Sequence, residues 1–450
     1  MPRVSRRAFA ASAAALPAAS YAQVPGANDR VRTAFIGVGN RGDQLLDAFL
    51  THRDQTVVAL CDAYAPYLPA AAAKVAKANG SNPDTVKEYR RVLDRRDVDA
   101  VVIATPDHWH ALQFVDACHA GKHVYCEKPL SLTISEGRRM ADVARQTRRV
   151  TQVGLHRRTS PLVTEAVKMI RDGAIGKVTV AKCYHHRNET PMGIGNPPDG
   201  DPPAGLDYDL WLGPAPRAAF NKNHVLYKFR WFWDYSGGQL TNFGTHYLDV
   251  IQWALNQDAP KSVACLGGRF GTADNRQIPD TLEAVWEYDG CLVTFSQFNC
   301  NASPGNPRSG TMEFRGTLGT LVLNDAATTL EIIPENVRVE ELPALSPLER
   351  EANTKQGRAV KQARLPETKR AEGDPTPLHA RSFLDGILKG TPTTCPAEVG
   401  HRSTTATLLA RIALMRQKVL AWDAKAERVT NDAESNRLLG YEYRAPYRLG

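Results

Sequence analysis

The sequence predicts an α/β protein with two parts: an N-terminal doubly wound parallel sheet and a C-terminal α/β domain with an open, mostly antiparallel sheet. Three observations predict this. An apolar run leads into the spacing G-x-G-x-x-G at Gly37, Gly39 and Gly42. Short β-branched runs then alternate with helical patterns as far as about residue 155. Beyond that point, strand-like runs mostly follow one another with turn residues between them.

The glycine turn joins the strand to the helix in the first strand–turn–helix unit, which begins at Val31. Gly37 permits a tight turn, Gly39 lets the backbone approach a pyrophosphate, and Gly42 lets the helix pack close to the strand. A helical pattern follows over 43–50, and the free N–H groups and dipole at the start of that helix favour phosphates, with Asn40 and Arg41 as further candidate cofactor contacts. These features predict a dinucleotide-binding site.

A second apolar run, 56–62, ends in Asp62, about 20 residues beyond the glycines. An acid at that spacing accepts a hydrogen bond from the ribose 2′-hydroxyl and repels a 2′-phosphate. We therefore predict NAD as the cofactor, with NADP disfavoured.

The remaining elements of residues 31–155 complete a Rossmann domain. The β-branched run 98–106 predicts a buried strand that ends at a proline. The helix after it should end at Gly121, and Thr133 with Glu136 forms a capping box for another. Their expected bounds are helix 110–120, strand 123–129, helix 131–148 and strand 150–155.

Residues 156–450 form the second predicted domain. A helix over 161–171 comes first, and 188–216 is rich in Pro, Gly and Asp, which predicts a long loop. The expected strands are 262–269, 282–288, 291–299, 311–315 and 320–323. Residues 340–375 predict a charged surface excursion, whereas 379–388 and 403–420 predict helices, which we expect to join the Rossmann domain in part. The tail, 441–450, shows no regular pattern.

Composition excludes nucleic acid as the expected partner. The chain has 450 residues, 42% of them apolar and 23% charged, and a formal net charge of +8. Its Lys and Arg residues are scattered, whereas nucleic-acid binding requires a basic patch. No apolar run is long enough for a membrane-spanning helix.

Residues 1–22 resemble a twin-arginine export signal. Arg6 and Arg7 precede an Ala-rich stretch, and cleavage is expected after Ala22. The signal predicts export in the folded state through the twin-arginine translocase, to the periplasm or the outside. That route suits an enzyme that acquires its nucleotide in the cytoplasm.

The eight cysteines show no C-x-x-C pair, and several lie in apolar runs. Buried thiols are the prediction, although an even count in an exported chain leaves disulfides open. The pair His185–His186, and His246 with Asp249, are not recognised ligand sets, so no metal is predicted.

Lys128 ends a predicted strand of the parallel sheet, at the edge where such sheets bind ligands. A lysine near the oxidised nicotinamide ring can have its pKa lowered and exchange a proton with a substrate hydroxyl. The alternative is a surface lysine. Thr105 and Pro106 follow the preceding strand and would line the nicotinamide ribose. His110 and Glu127 are further candidate cofactor contacts, although His110 also suits helix packing.

Candidate substrate contacts lie after the parallel sheet. His156 and Arg157 follow its last strand, and Trp233 belongs to an aromatic cluster that suits either the C–H face of a sugar or the core. Asn242, His246 and Asp249 share one face of a predicted helix, 240–255, that follows a Gly-Gly turn. His246 has the ordinary pKa of a general base. The alternative is that this face bonds the neighbouring domain.

Together these residues resemble the Gfo/Idh/MocA family, the relatives of glucose-fructose oxidoreductase and inositol dehydrogenase. The marks are the glycine fingerprint, Thr105-Pro106, Glu127-Lys128-Pro129, and Gly237-Gly238 leading to His246 and Asp249. The resemblance implies hydride transfer at a carbon of a sugar, glycoside or cyclitol and a homo-oligomer formed through the C-terminal sheet. It also implies a catalytic Lys128, a catalytic His246, a cis Lys128–Pro129 bond and, in exported members, a nucleotide that stays bound through turnover.

The chain departs from that pattern at Asn242. Inositol-dehydrogenase-like members have an Asp four residues before the histidine, and an amide cannot carry its charge or its proton. His246 as base and Lys128 as hydrogen-bond donor would then manage the proton. Three functions stay open: a dehydrogenase or sugar oxidoreductase, a redox-assisted glycosidase or lyase, and a non-catalytic nucleotide-bound binding protein.

Overall fold

Six parallel strands form the N-terminal sheet of this computed structural model, which describes residues 30–303, 311–324, 326–338 and 360–450. The strands are β1 (Val31–Ile36), β2 (Gln55–Cys61), β3 (Asp84–Val86), β4 (Ala100–Ile103), β5 (His123–Cys126) and β6 (Thr151–Val153). They lie in the order β3-β2-β1-β4-β5-β6, which confirms the predicted doubly wound sheet. The order reverses between β1 and β4, and ligands bind such sheets at that point.

Helices cover both faces of this sheet. They are α1 (Asn40–Leu50), α2 (Leu68–Asn79), α3 (Arg90–Leu93), α4 (Asp107–His119) and α5 (Ile134–Thr147), with a short 3₁₀ turn at Ala65–Tyr67. The helix α1 buries Leu45, Leu46 and Phe49 against the sheet, as its periodicity predicts. The Thr133–Glu136 capping box begins α5. Sequence periodicity therefore places α1, α4 and α5 within a few residues, whereas α2 and α3 were not predicted.

The second sheet belongs to the C-terminal part and has eleven strands. They are β7 (Val178–Asn188), β8 (Ser262–Gly268), β9 (Thr281–Tyr288), β10 (Cys291–Phe298), β11 (Cys300–Asn301), β12 (Met312–Gly316), β13 (Gly319–Leu323), β14 (Thr329–Pro334), β17 (Glu367–Arg370), β18 (Leu420–Asp423) and β19 (Arg428–Val429). A separate pair joins β15 (Asn336–Arg338) to β16 (Val360–Gln362). The main order is β17-β14-β13-β12-β7-β10-β9-β8-β18-β19, with β11 beside β7.

One face of this sheet is buried under helices and the other is open. The helices of this part are α6 (Pro161–Arg171), α7 (Tyr208–Leu212), α8 (Gly238–Asn242), α9 (Gly244–Leu255), α10 (Thr376–Lys389) and α11 (Ala397–Arg416), with 3₁₀ turns at His156–Thr159, Lys228–Trp231 and Ala433–Leu439. Trp286 of β9 points under α11 and donates to the Ala406 carbonyl at 2.8 Å. On the open face, Leu266 is 72% exposed and Leu292 is 48% exposed.

The late helices pack back on the parallel sheet. Phe383 of α10 lies in the core with Phe49 of α1, at 6.3 Å between ring centroids. Gly400 of α11 lies against Val153 of β6, so closely that a Cβ there would meet its side chain at 2.4 Å. Because α11 also covers the second sheet, it ties the two halves into one body that holds the cleft between them.

Several predicted elements differ from the structure. The long strand β7 at the centre of the second sheet was not predicted, although its buried Ala181, Cys183 and His185 alternate with more exposed residues. It runs parallel to β10, and the other described pairs of that sheet are antiparallel. The helix expected over 240–255 divides into α8 and α9 at Phe243.

Three other boundaries also differ. The predicted loop 188–216 contains the short helix α7. The helix expected over 403–420 begins at Ala397 and ends at Arg416, and Leu420 belongs to β18. Of the predicted excursion 340–375, residues 340–359 lie outside the described residues, and the rest includes β16 and β17.

Candidate active site

A cleft of about 1270 Å³ of empty space opens at the C-terminal ends of the parallel strands. Its floor is the turn after β1 together with the ends of β2, β4 and β5, and parts of the second domain close over it at 210–211, 226–230 and Asn242. The lining includes the glycine turn, Asp62 and Lys128, so the predicted cofactor and catalytic residues share one cleft.

The three glycines of the turn have different neighbours. Gly37 has φ +89°, and a Cβ there would meet the Ala104 backbone at 2.8 Å. A Cβ on Gly42 would lie 2.1 Å from the Gly37 carbonyl oxygen. Gly39 lines the cleft, as Gly37 does, but a Cβ on Gly39 would meet only the ring of Tyr67, at 3.1 Å. Gly37 and Gly42 therefore shape the turn, whereas Gly39 keeps the space above the N-terminus of α1 open for phosphates.

Asp62 lies at the end of β2, on the wall of the cleft. Its carboxylate accepts the N–H groups of Val38 and Tyr64, both at 2.8 Å. Burial raises the pKa of Asp62, and these two hydrogen bonds oppose the shift. They fix the carboxylate beside the glycine turn, where the ribose of a dinucleotide would reach it. The residues present therefore fit NAD.

Asp62→Ala should weaken NAD binding and reduce the preference for NAD over NADP by about tenfold or more, because a charge-assisted hydrogen bond to the 2′-hydroxyl is lost. The dissociation constants of both nucleotides measure the effect. Asp94→Ala, which removes an exposed carboxylate, serves as the control. A wild-type preference for NADP would contradict the assignment and would direct attention to Arg41 or Lys87, which line the same cleft.

Lys128 follows β5 at the other end of the cleft, and its bond to Pro129 is cis, as the resemblance implied. The Nζ donates to Asn242 Oδ1 at 2.5 Å and to the Asn242 carbonyl at 3.2 Å. Burial lowers the pKa of Lys128 to about 8, with Glu127 and Asp107 opposing the shift and Arg230 and Arg41 adding to it. Because Asn242 is neutral, it holds the amine without the stabilisation of the charged form that an Asp would give.

Arg41 and Glu127, both predicted cofactor contacts, pair with each other. Arg41 Nε donates to Glu127 Oε1 at 2.9 Å, and both side chains line the cleft. A Cβ on Gly154 would lie 2.5 Å from that Glu127 oxygen, so β6 packs closely behind it. The pair thus ties the first turn of α1 to the end of β5 and orients Lys128 indirectly.

His246 lies near Lys128, in a group of positive charges. Its ring is 4.9 Å from that of His156, and His156 Nδ1 lies 3.4 Å from Arg41 Nη2. Burial and the neighbouring charges of Lys128 and Arg157 hold the pKa of His246 well below its ordinary value, and the pKa of His156 is lowered for similar reasons. Both rings are therefore neutral near pH 7. Within the described residues, His246 Nδ1 has no hydrogen-bond partner.

The predicted residues His156, Arg157 and His246 do not line the cleft, and neither do two other predicted substrate contacts, Asp249 and Trp233. Asp249 is fully buried, paired with Arg158 at 2.9 Å and bonded to the Ser403 hydroxyl at 2.7 Å, so this face of α9 bonds the neighbouring elements. Trp233 lies outside the cleft and stacks on Arg411 at 5.0 Å. The prediction of a single polar helix face fails because α8 and α9 are separate helices.

Four other predicted residues have well-defined places. Arg157 is buried, with its guanidinium 4.9 Å from the Tyr247 ring. Thr105 and Pro106 line the cleft, where Thr105 donates to Gln113 at 2.7 Å. The ring nitrogens of buried His110 lie 2.8 Å from the Pro129 carbonyl and 2.9 Å from the Thr105 carbonyl. His110 thus joins two strand ends and supports the cleft from behind.

Several residues of the cleft were not predicted from the sequence. Asp107 is buried there and accepts the Ser236 hydroxyl at 2.6 Å, and burial raises its pKa. Tyr227 is 55% exposed at the mouth, with the Arg230 guanidinium 4.3 Å from its ring centroid. Leu226 beside it has φ +55°, which is strained for a leucine. The Pro-Asp-His order around Asp107 was a usable signal, whereas nothing in the sequence placed the loop of Tyr227 over the cleft.

Other expected features concern metals, thiols and membranes. In the part of the chain that the structure describes, no group of three or more His, Cys, Asp or Glu is arranged to hold a metal ion. All eight cysteines are free thiols, and seven of them are buried. Over the same residues, none of the helices has the length and apolar character needed to cross a membrane.

Two family models match this chain. Residues 31–155 match an oxidoreductase family with an NAD-binding Rossmann fold, and residues 162–296 match the C-terminal α/β domain of that family. A glycosyl hydrolase family 109 protein of a Shewanella species is 32% identical over 154 residues, which are 33% of this chain and 34% of the relative. One from Shewanella putrefaciens is 31% identical, with the same shares. The match thus spans about a third of these curated relatives.

Solved structures share the fold over most of the chain. The WlbA dehydrogenase of Bordetella pertussis, in complex with NADH and UDP-GlcNAcA, is 17% identical with a TM-score of 0.62, covering 88% of this chain and 99% of that one. Levoglucosan dehydrogenase, in complex with NADH, is 19% identical with a TM-score of 0.61, covering 87% of this chain and 99% of that one. At such identities the likeness shows the fold alone.

Proposed function

The chain belongs to the Gfo/Idh/MocA family of NAD-binding oxidoreductases, and from this premise we propose that it moves a hydride between tightly bound NAD and a hydroxyl-bearing or keto carbon of a sugar, glycoside or polyol. The observation that carries the proposal is Lys128. It is a buried amine with a pKa lowered to about 8, on the wall of the dinucleotide cleft. A pKa near the working pH is what a general acid–base residue needs.

The cofactor would be held by the residues that face the cleft. The glycine turn and the N-terminus of α1 suit the pyrophosphate, and Asp62 suits the adenosine ribose. Bound NAD supplies the hydride acceptor in oxidation. Thr105 and Pro106 lie between these groups and Lys128, so the nicotinamide end of the cleft is the end that carries the titratable groups.

Lys128 is the residue that we assign to the proton. In oxidation, the substrate hydroxyl must lose its proton as the hydride leaves the carbon, and the neutral amine of Lys128 accepts it. Asn242 holds Nζ in place at 2.5 Å and cannot itself take a proton. In reduction the same amine, protonated, returns the proton to the oxygen.

This assignment exchanges the roles that the sequence predicted. His246 was expected to be the base, but its pKa is held well below the ordinary value by burial and by Lys128. A group with so low a pKa stays neutral and is a weak proton acceptor at neutral pH. We therefore assign His246 to positioning: its buried ring packs beside His156, behind the cleft wall that carries Lys128.

A sugar or polyol fits the rest of the cleft. Tyr227 presents an exposed ring at the mouth, and Arg230 behind it also donates to the Tyr227 carbonyl at 2.8 Å. An aromatic face packs against the C–H face of a sugar, and nearby charged and amide groups bond its hydroxyls. The structural relatives named above were solved with a nucleotide sugar or belong to a sugar dehydrogenase.

A redox-assisted glycosidase is the second candidate, favoured by the relatives named as glycosyl hydrolase family 109. Its first step is the same oxidation. The new carbonyl then acidifies the neighbouring C–H bond, a base removes that proton and the aglycone leaves, which forms a carbon–carbon double bond. Water adds across that double bond, and the carbonyl is reduced again. Lys128 serves both candidates, so the cleft alone does not separate them.

Incubation with free sugars and with aryl glycosides separates the functions. Net conversion of the cofactor with free sugars supports the dehydrogenase, whereas aglycone release without net cofactor change supports the glycosidase. Neither signal, with NAD bound, would contradict both and support a non-catalytic binding protein.

We also propose export through the twin-arginine translocase. The support is the sequence around Arg6 and Arg7, which lies outside the described residues. Replacing both arginines with lysine should keep the precursor in the cytoplasm, because the twin-arginine pair addresses that pathway. Cell fractionation measures the outcome, and export of the double variant at the wild-type level would contradict the proposal.

The open face of the second sheet is proposed as a homo-oligomer interface. Leu266 of β8 and Leu292 of β10 are exposed on this face, with β9 between them. Exposed apolar side chains of this kind are typical of protein–protein interfaces. Sedimentation of the purified protein tests this proposal, and a monomer at all concentrations would contradict it.

A further inference from the structure

A segment of the second domain, residues 205–213, lies over the adenosine end of the cleft; we call it the roof. Its start is bonded to the chain just after Asp62. Ala65 N–H donates to the Gly205 carbonyl and Asp207 N–H donates to the Ala63 carbonyl, each at 3.0 Å. Between these two bonds, Tyr64 and Leu206 form an antiparallel bridge. The roof is therefore paired to the residues that follow the ribose-binding carboxylate.

The other end of the roof rests on Trp109 of α4. Leu210 and Trp211 of the roof line the cleft together with Trp109. The Trp109 Nε1 donates to the Trp211 carbonyl at 3.0 Å. A Cβ on Gly213 would lie 2.2 Å from the Trp109 ring, so the chain turns directly against it. A nucleotide in this end of the cleft would lie beneath a closed layer of backbone and indole rings.

One residue of the C-terminal tail, 441–450, holds the roof from outside. Arg444 Nη1 pairs with Asp209 Oδ1 at 2.5 Å, its Nη2 donates to the Asp209 carbonyl at 3.0 Å, and its Nε donates to the Gly213 carbonyl at 2.9 Å. Its backbone N–H donates to the Pro214 carbonyl at 2.9 Å. The Arg444 side chain is only 11% exposed, whereas the Asp209 side chain is 68% exposed, so the bond to Gly213 is the more shielded part of this contact.

The tail is itself anchored to the Rossmann domain. The Tyr443 hydroxyl donates to buried Glu136 at 2.5 Å, and Arg139 donates to the Gly450 carbonyl at 2.5 Å. The Tyr447 ring packs edge-on against Trp109 at 5.4 Å. The tail thus joins the helices α4 and α5 on one side to the roof on the other.

From this arrangement we infer that Arg444 is a positioning residue for cofactor retention: it keeps the roof closed over the adenosine half of NAD. The inference rests on the proposal that NAD stays bound through turnover. Lifting the roof for nucleotide exchange must break the Arg444 bonds, because the tail holds its other contacts to the Rossmann domain. Hydride transfer takes place at the Lys128 end, so the retention role is separate from the chemistry.

The experiment is a chase of bound NADH. The full-length protein is loaded with NADH and mixed with excess NAD, and loss of NADH fluorescence gives the release rate. Arg444→Ala should release NADH about tenfold faster or more, the scale of losing a charge-assisted hydrogen bond. Arg448→Ala, an exposed arginine on the same tail, should stay within about twofold of wild type. Because the nucleotide is proposed to stay bound through turnover, kcat of Arg444→Ala with saturating NAD should match wild type.

Asp209→Asn is the second variant. Its side chain is 68% exposed and it removes only the ion pair, so it should fold normally and accelerate release by a smaller factor. If Arg444→Ala does not fold, the NADH release rate of Asp209→Asn tests the inference instead. Wild-type release rates in both variants would overturn the inference. If the wild-type protein itself retains no NADH, the proposal of tightly bound NAD fails instead, and the two failures are therefore distinguishable.

Discussion

Lys128→Ala should lower kcat by about 10²- to 10⁴-fold, the usual contribution of a general acid–base residue. The amine lies on the cleft wall with a pKa of about 8, and in the described structure no other amine occupies that position. NAD binding should survive, because the glycine turn and Asp62 are at the other end. Steady-state kinetics with a bound-nucleotide assay measure both effects. Lys77→Ala, which removes an exposed lysine of α2, is the control.

The pH dependence belongs to the same prediction. Burial lowers the folded-state pKa of Lys128, so the neutral base is present above about pH 8 and is lost by protonation as pH falls. The oxidation rate should therefore rise with pH up to about 8 and then level off. The positive charge of oxidised nicotinamide can only shift this midpoint downward. Glu127, Asp107, Arg41 and Arg230 face the amine and set its position.

The variant Lys128→Arg separates two possible roles of Lys128, the proton acceptor and the positively charged hydrogen-bond donor. A guanidinium keeps the positive charge and the donors but cannot give up a proton in proteins. If Lys128 is the base, this variant should be as slow as Lys128→Ala at every pH. Substantial activity in Lys128→Arg would show that only a positive donor is needed, and His246 would return as the candidate base.

Gly39→Val should weaken NAD binding by about a hundredfold or more, because its side chain would occupy the space reserved for the pyrophosphate; that factor corresponds to about 2.7 kcal/mol. Gly39 has φ −70°, which any residue adopts, and a Cβ there meets only the movable Tyr67 ring. Thermal unfolding without nucleotide should therefore change little. Calorimetry with NAD measures the affinity.

The control for this variant is Gly200→Val, at an exposed glycine with open space around its Cβ position. Gly42 is a poorer choice, because a Cβ there would lie 2.1 Å from a backbone oxygen and would disturb the turn itself. Unchanged NAD affinity in Gly39→Val would mean that the phosphates do not lie above α1.

Five of the six strands of the first sheet could be predicted, because they are apolar runs, whereas β3 is short and largely exposed and was not predicted. The glycine spacing placed the turn, and the capping box at Thr133 placed α5. The second sheet was harder. The strand β7 contains Lys182 and two histidines and lies in a sheet with one open face. Its buried and exposed positions therefore do not show a clear alternation of apolar and polar residues.

The site was predictable where residues follow parallel strands, since topology alone brings those ends together. Asp62 and Lys128 were found in this way. The contacts of Asp249 were not predictable, because its partners Arg158 and Ser403 are distant from it in the sequence. The low pKa of His246 likewise arises from burial and from charges gathered by the tertiary fold. No local pattern contains that information.

The central claim is that a hydride passes from a sugar carbon to NAD in this cleft. The direct measurement uses a sugar deuterated at the carbon to be oxidised, with the nucleotide recovered from the protein and examined by mass spectrometry. We predict deuterium on the nicotinamide ring after a single turnover, with the label absent in Lys128→Ala on the same time scale. A substrate that is converted while the bound nucleotide never carries label would contradict this account.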